Sequence, residues 1–147
     1  MKIVTPVFGE LDYDEKEIIL FNEGFYGLPN LKKFIFIENK DEKFPFHWLQ
    51  ALEDLDIVFI VTSPFLFVEN YDFEIPDSTV EKMGIEEVKE ATIFSIVKIP
   101  DEISKTSLNL KAPVIINNKL RRGKQIILNE EFEYKYYIFD KALNERK

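Results

Sequence analysis

Short apolar runs, each bounded by turn residues and interrupted by a single helix signal, constrain this chain more than any other feature. Residues 33–38 (KFIFIE), 57–61 (IVFIV), 91–99 (ATIFSIVKI), 114–116 (VII) and 126–128 (IIL) are built from the β-branched and aromatic side chains that suit a pleated, half-buried surface. Residues 2–4, 9–13, 71–75 and 132–139 alternate apolar and polar side chains with the two-residue period of a strand, and 17–21, 65–68 and 106–110 are shorter runs of the same kind. Parallel neighbours need crossover connections of about a dozen residues or more, usually helical, and this sequence has none to offer. The expectation is an all-β, mainly antiparallel fold, a compact β-barrel-like domain of about ten short strands, with a two-sheet β-sandwich as the alternative. Closure is preferred because an open sheet would leave Phe- and Ile-rich edges free to pair with other chains. The run 57–61 has no polar face, so it belongs in a wall covered on both sides.

The clearest single element is a hairpin over 109–128. Pro113 cannot donate a ladder hydrogen bond and sits at the start of the first arm, Arg122-Gly123 supplies a bend tolerant of positive φ, and 126–128 returns as the second arm. One short helix is expected near 77–84, where Ser78 and Glu81 have the spacing of a capping box and Gly84 can end it in a left-handed conformation. Gly24, Gly27 and Pro29 mark a structured loop. No linker or repeat divides the chain, so a single domain over 1–147 is expected, with 129–147 as a C-terminal edge strand and tail.

The net charge is −8 at pH 7. Such a field repels phosphate backbones, so no direct nucleic-acid partner is expected, whereas a basic protein surface is accommodated. The charge is also uneven. Residues 69–90 hold eight acidic residues against Lys82 and Lys89, a net of −6, while 109–124 hold five basic residues and no acidic one. Cysteine is absent, which removes disulfides and thiolate ligands, and the chain begins without the apolar core of a signal peptide; both point to the cytoplasm. No apolar run approaches the roughly 20 residues that cross a bilayer, so no membrane contact is expected.

Catalytic chemistry finds little to use. His47, the only histidine, lies between Phe46 and Trp48 and reads as a packing or hydrogen-bonding residue rather than a general base. The acids at Glu69, Asp72, Glu86 and Glu87 lack calcium-loop spacing and read as solvated turns. Gly24 and Gly27 do not make a dinucleotide fingerprint. The bend Lys119–Lys124 carries guanidinium groups beside a glycine and so has an anion-binding reading, set against the simpler one of a solvated hairpin tip. No catalytic, cofactor or metal site is assigned; the rival reading is a small-ligand barrel or hydrolase with a pocket near His47 and Trp48.

Several motifs together resemble one family. Phe8-Gly9-Glu10, Phe21-x-x-Gly24-x-x-Gly27, Pro45-Phe-x-Trp48-Leu49-Gln50, Phe59-x-Val61-x-x-Pro64 and Val97-x-Ile99-Pro100 lead to the most specific stretch, from Asn109-Leu-x-Ala112-Pro113 through Ile116-Asn117 to Gly123-Lys124-Gln125-x-Ile127-Leu128. This pattern is similar to that of the FliW flagellar assembly factors; the tail from Asn129 carries none of it. The resemblance implies a non-enzymatic, cytoplasmic β-barrel protein, monomeric when free. It further implies that the protein binds the translational repressor CsrA (the carbon storage regulator), so relieving repression of flagellin mRNA, and that flagellin competes for it. Because an RNA-gripping repressor needs positive surface, the contact is expected on the acidic stretch. Phe65, Phe67, Glu69, Asn70, Tyr71, Asp72 and Glu74 alternate rings with acids there, in the manner of an interface core with a polar rim.

Overall fold

A computed structural model describes residues 1–41 and 43–145. Its strands are β1 (Lys2–Thr5), β2 (Gly9–Asp12), β3 (Ile18–Leu20), β4 (Lys33–Ile37), β5 (His47–Ala51), β6 (Val58–Thr62), β7 (Ala91–Lys98), β8 (Ser107–Leu108), β9 (Val114–Asn117), β10 (Arg122–Gln125) and β11 (Tyr136–Tyr137), with a helix α1 (Asp77–Met83) between β6 and β7. Strands β3 to β7 form an antiparallel meander. β7 then pairs with β9, β9 with β10, and β10 returns to β3, so seven strands close on themselves. The β10–β3 seam alone is parallel and rests on Arg122 opposite Leu20, where the Leu20 N–H donates to the Arg121 carbonyl (2.9 Å). Closure decides for the barrel over the sandwich. β8 and β11 continue the sheet outward from the far end of β7, and β1–β2 is a separate hairpin whose Phe8 ring packs edge-on against Trp48.

The pleat of the wall supplies two cores at once. On β9, Val114 and Ile116 point into the barrel while Ile115 points out, and on β7 Phe94 and Ile96 go in while Ala91, Ile93 and Val97 go out. The inner core is dominated by rings: Phe21, Phe25, Phe34 and Phe59 pack with centroids 4.7–5.9 Å apart. The outer core is covered by the chain between β6 and α1, by α1 itself through Met83, and by the returning C-terminal segment through Ile126, Leu128, Phe132 and Ile138. This explains how 57–61 can lack a polar face: Phe59 and Val61 serve the inner core and Ile60 the outer one.

Four sequence expectations change. The second arm of the hairpin is Arg122–Gln125, not 126–128, and the left-handed residue is Arg121 (φ 55°). Gly123 is needed instead for space, since a Cβ there would lie 2.3 Å from the Phe21 ring. The helix starts two positions earlier than a Ser78 cap requires, with Pro76 at its N-cap and no side-chain bond there, although Gly84 does end it in the left-handed region (φ 65°). Residues 65–68 and 71–75 are not strands: the first opens with a 3-10 turn at Pro64–Leu66 and the second is extended without a ladder partner. Of 132–139, only β11 pairs. On the outer side of β11, Asn144 takes the place of a further strand, its Oδ1 accepting from the Tyr137 N–H (2.8 Å) and its Nδ2 donating to the Tyr137 carbonyl (2.9 Å).

Because Gly123 has ordinary φ, Gly123→Ala isolates the steric contact with Phe21. The expected loss is about 1–3 kcal/mol of stability, seen as a lower urea midpoint with an unchanged denaturant slope.

Candidate protein-binding surface

The segment between β6 and α1 runs over the outer wall of the barrel with its own two-residue alternation. Tyr71, Phe73 and Ile75 turn inward onto the outer core, and Asp72 and Glu74 turn outward. Tyr71 fixes the arrangement. It is 4% exposed, its hydroxyl donates to the Leu110 carbonyl just ahead of β9 (2.6 Å), and Phe65, Phe73 and Phe132 surround its ring. Burial pushes its phenol well above the ordinary tyrosine value, and the negative charge of Glu130 pushes it further.

The seven residues singled out from the sequence therefore divide. Glu69, Asn70, Asp72 and Glu74 are exposed, and Phe65 is 51% exposed on the 3-10 turn. Phe67 is half-buried, stacked on Phe46 (centroids 6.1 Å, planes 5° apart), and Tyr71 is buried. Those two support the surface from beneath. Linear reading missed two contributors. Leu66 stands 64% exposed beside Phe65, and Glu130 joins Asp72 and Glu74 around a shallow depression of about 410 Å3. Nothing local marks Glu130; only the return of the C-terminal segment across the outer core brings it there.

The other candidates are engaged elsewhere. His47 accepts a hydrogen bond at Nδ1 from the Asn39 N–H (3.0 Å) and lies against the Phe36 ring. Where the rival reading needs a ligand cavity, Ile19, Phe21, Phe25, Phe34, Leu49 and Val61 fill the barrel interior. In the basic bend, Arg121 donates to the Glu17 carbonyl (3.0 Å) and Lys124 binds Glu23 (2.8 Å), whose carboxylate also faces Lys82 (3.7 Å). The Lys124 hydrogen bond, then its charge, holds the Glu23 carboxyl below its usual value. An anion approaching the bend thus meets a carboxylate already seated among the cations. Among the described residues, no group of three or more His, Cys, Asp or Glu is placed to hold a metal ion, and no helix is long and apolar enough to cross a membrane.

Several motif residues are framework. Asn117 is fully buried, donating to the Met83 carbonyl at the end of α1 (2.8 Å) and accepting from the N–H groups of Lys119 and Leu120. Gln125 bridges the Tyr26 N–H and the Ala112 carbonyl, and the Gln50 amide donates to Ala51, Leu55 and Ile57.

A closed barrel filled by its own side chains, with its acidic charge gathered on an outer segment, defines a scaffold whose distinctive chemistry is on its surface. The family model described as FliW protein matches residues 2–138. The chain is 43% identical over 141 residues to the flagellar assembly factor FliW of Alkaliphilus metalliredigens, covering 95% of this chain and 87% of that one. It is 43% identical over 145 residues to its counterpart in Thermoanaerobacter pseudethanolicus, covering 98% and 97%. A crystal structure of the flagellar assembly factor FliW superimposes with a TM-score of 0.87 at 30% identity, over 95% of this chain and 97% of that chain. The chain belongs to the FliW family of flagellar assembly factors. The match runs ten residues past Leu128, where the motifs end, so the segment up to Ile138 that completes the outer core belongs to the family pattern as well.

Tyr71→Phe removes the hydroxyl and leaves the Leu110 carbonyl without that partner. The expected cost is about 1–3 kcal/mol, read from urea unfolding at pH 7. Since folding raises the Tyr71 pKa, its contribution is complete below the unfolded tyrosine value of about 10 and is lost as pH rises above it. The loss of stability between pH 10 and 12 should therefore be shallower in Tyr71→Phe, and the difference between the two proteins' phenolate absorbance titrations should place the Tyr71 step above that of the urea-unfolded chain.

Proposed function

We propose that this chain is a non-enzymatic, cytoplasmic regulator of flagellum assembly. It acts as one folded unit, monomeric when free, that binds CsrA and flagellin and thereby relieves repression of flagellin mRNA. Family membership supports the role in flagellum assembly. The observation that carries the partner chemistry is the outward alternation of Asp72 and Glu74, joined by Glu69 and Glu130, over inward rings that hold the segment in place. A repressor surface that grips RNA is basic, and an acidic, preorganised ridge attracts it, speeds encounter and disfavours RNA held nearby. Phe65 and Leu66, exposed at one end of the ridge, supply apolar anchor area next to the charge. In this reading the contact set is Phe65, Glu69, Asn70, Asp72 and Glu74, with Phe67 and Tyr71 setting their positions. Flagellin competes by covering part of the same ridge.

Reversing Asp72 and Glu74 to Lys together should weaken CsrA binding about tenfold or more at low ionic strength and flatten its salt dependence, because exposed charges act mainly through the screened field. Titration calorimetry at two salt concentrations checks this; an unchanged affinity at low salt places the contact elsewhere. Competition further predicts that mixing the chain with CsrA and flagellin gives two binary complexes and no stable ternary peak in size-exclusion chromatography.

A further inference from the structure

A groove runs beside the acidic ridge, between the extended segment, α1 and the start of β7. It is lined by Phe73 and Ile75 from the extended segment, Val80 on α1, Ile85 just after it, and Ala91 and Ile93 on β7, with a volume of about 380 Å3. These side chains are half-buried, and all but Val80 also pack against the outer core. At its lip stands Val88, 90% exposed on the 3-10 turn Val88–Glu90. That turn is locked rather than loose. The Glu90 carboxylate accepts from the backbone N–H groups of Glu86 (3.1 Å) and Glu87 (2.8 Å), and the Glu90 N–H donates to the Glu87 carbonyl (3.0 Å). An isopropyl group is thus held out in water by a turn that the Glu90 carboxylate pins, and the lip needs little further ordering to bind. The charge around the groove is predominantly acidic: Glu74, Asp77, Glu81 and Glu86 lie on the segments that line it, Glu87 is paired with Lys89 (3.1 Å), and the stretch carries a net charge of −6.

We propose that this groove is a docking site for a polypeptide segment that presents neighbouring apolar side chains flanked by lysine or arginine. The apolar walls take the side chains, Val88 adds apolar contact at the lip, and the surrounding carboxylates pair with the basic flanks and repel acidic competitors. The site lies beside the ridge formed by Glu69, Asp72 and Glu74 and stands whether or not CsrA contacts that ridge.

The test uses three fluorescein-labelled peptides of equal length on the full chain at low salt: an amphipathic Leu/Lys peptide, a Ser/Lys peptide of the same charge, and a Leu/Glu peptide. The Leu/Lys peptide should bind at least tenfold more tightly than either control, with amide shift changes centred on residues 73–93 in two-dimensional NMR. Val88→Asp should weaken its binding about fivefold despite adding a negative charge, and Glu86→Lys should weaken it while leaving the thermal midpoint unchanged. Equal binding of the Leu/Lys and Ser/Lys peptides, an unaltered affinity in Val88→Asp, or shifts centred outside 73–93 would overturn the proposal. CsrA binding measured on the same Val88→Asp protein separates the groove from the ridge, since loss of peptide binding with retained CsrA binding supports the groove alone.

Discussion

The two-residue pleat of β7 and β9 is the constraint on which the rest depends. A strand in a closed wall must send alternate side chains to opposite faces, and here both faces are apolar: Val114 and Ile116 against Ile115, Phe94 and Ile96 against Ile93 and Val97. The inner face is satisfied by closure of the barrel. The outer face is not, and must be covered by something that is not a strand of the wall. The chain between β6 and α1, the helix itself and the returning segment to Ile138 provide that cover, and the acidic ridge exists because the polar sides of these covering pieces face water.

Several tethers hold the cover in place. The Tyr71 hydroxyl ties the extended segment to Leu110, Asn117 ties the end of α1 to the β9 hairpin, and the Gly123–Phe21 contact lets β10 approach β3 closely enough to finish the barrel. These are framework groups, and four of them, Phe21, Leu110, Asn117 and Gly123, lie within the motifs that carry the family resemblance. The contact surface proposed here uses other residues, more polar and more exposed.

Most of the wall was legible in the sequence. The runs that became β4, β6, β7 and β9 are continuous enough in β-branched and aromatic residues to leave one reading, and the glycine that ends the helix is where the sequence places it. The alternation of 71–75 was also real but was misread as a ladder strand. An extended segment laid over an apolar wall shows the same period as a paired strand, because in each case one side is dry and the other wet. The helix begins where the sequence places it, but its cap lies two residues before Ser78 because Pro76 provides the start that a serine cap would otherwise supply. In the hairpin, glycine drew attention as the flexible residue, yet Arg121 takes the left-handed conformation and glycine answers a steric demand from Phe21, a residue about one hundred positions away in sequence. Within the candidate surface, the acids could be read directly. The burial of Tyr71 and the arrival of Glu130 could not, since both depend on the C-terminal segment folding back.

On the proposed function, recognition falls to the covering pieces and not to the barrel or its basic bend. Hydrogen exchange read by mass spectrometry on the chain alone and with CsrA tests it most directly. CsrA is expected to slow exchange across residues 65–90 and around Glu130, with the Lys119–Lys124 bend and the β1–β2 hairpin unchanged. Protection confined to the bend or to β1–β2, with 65–90 exchanging as in the free chain, would contradict it.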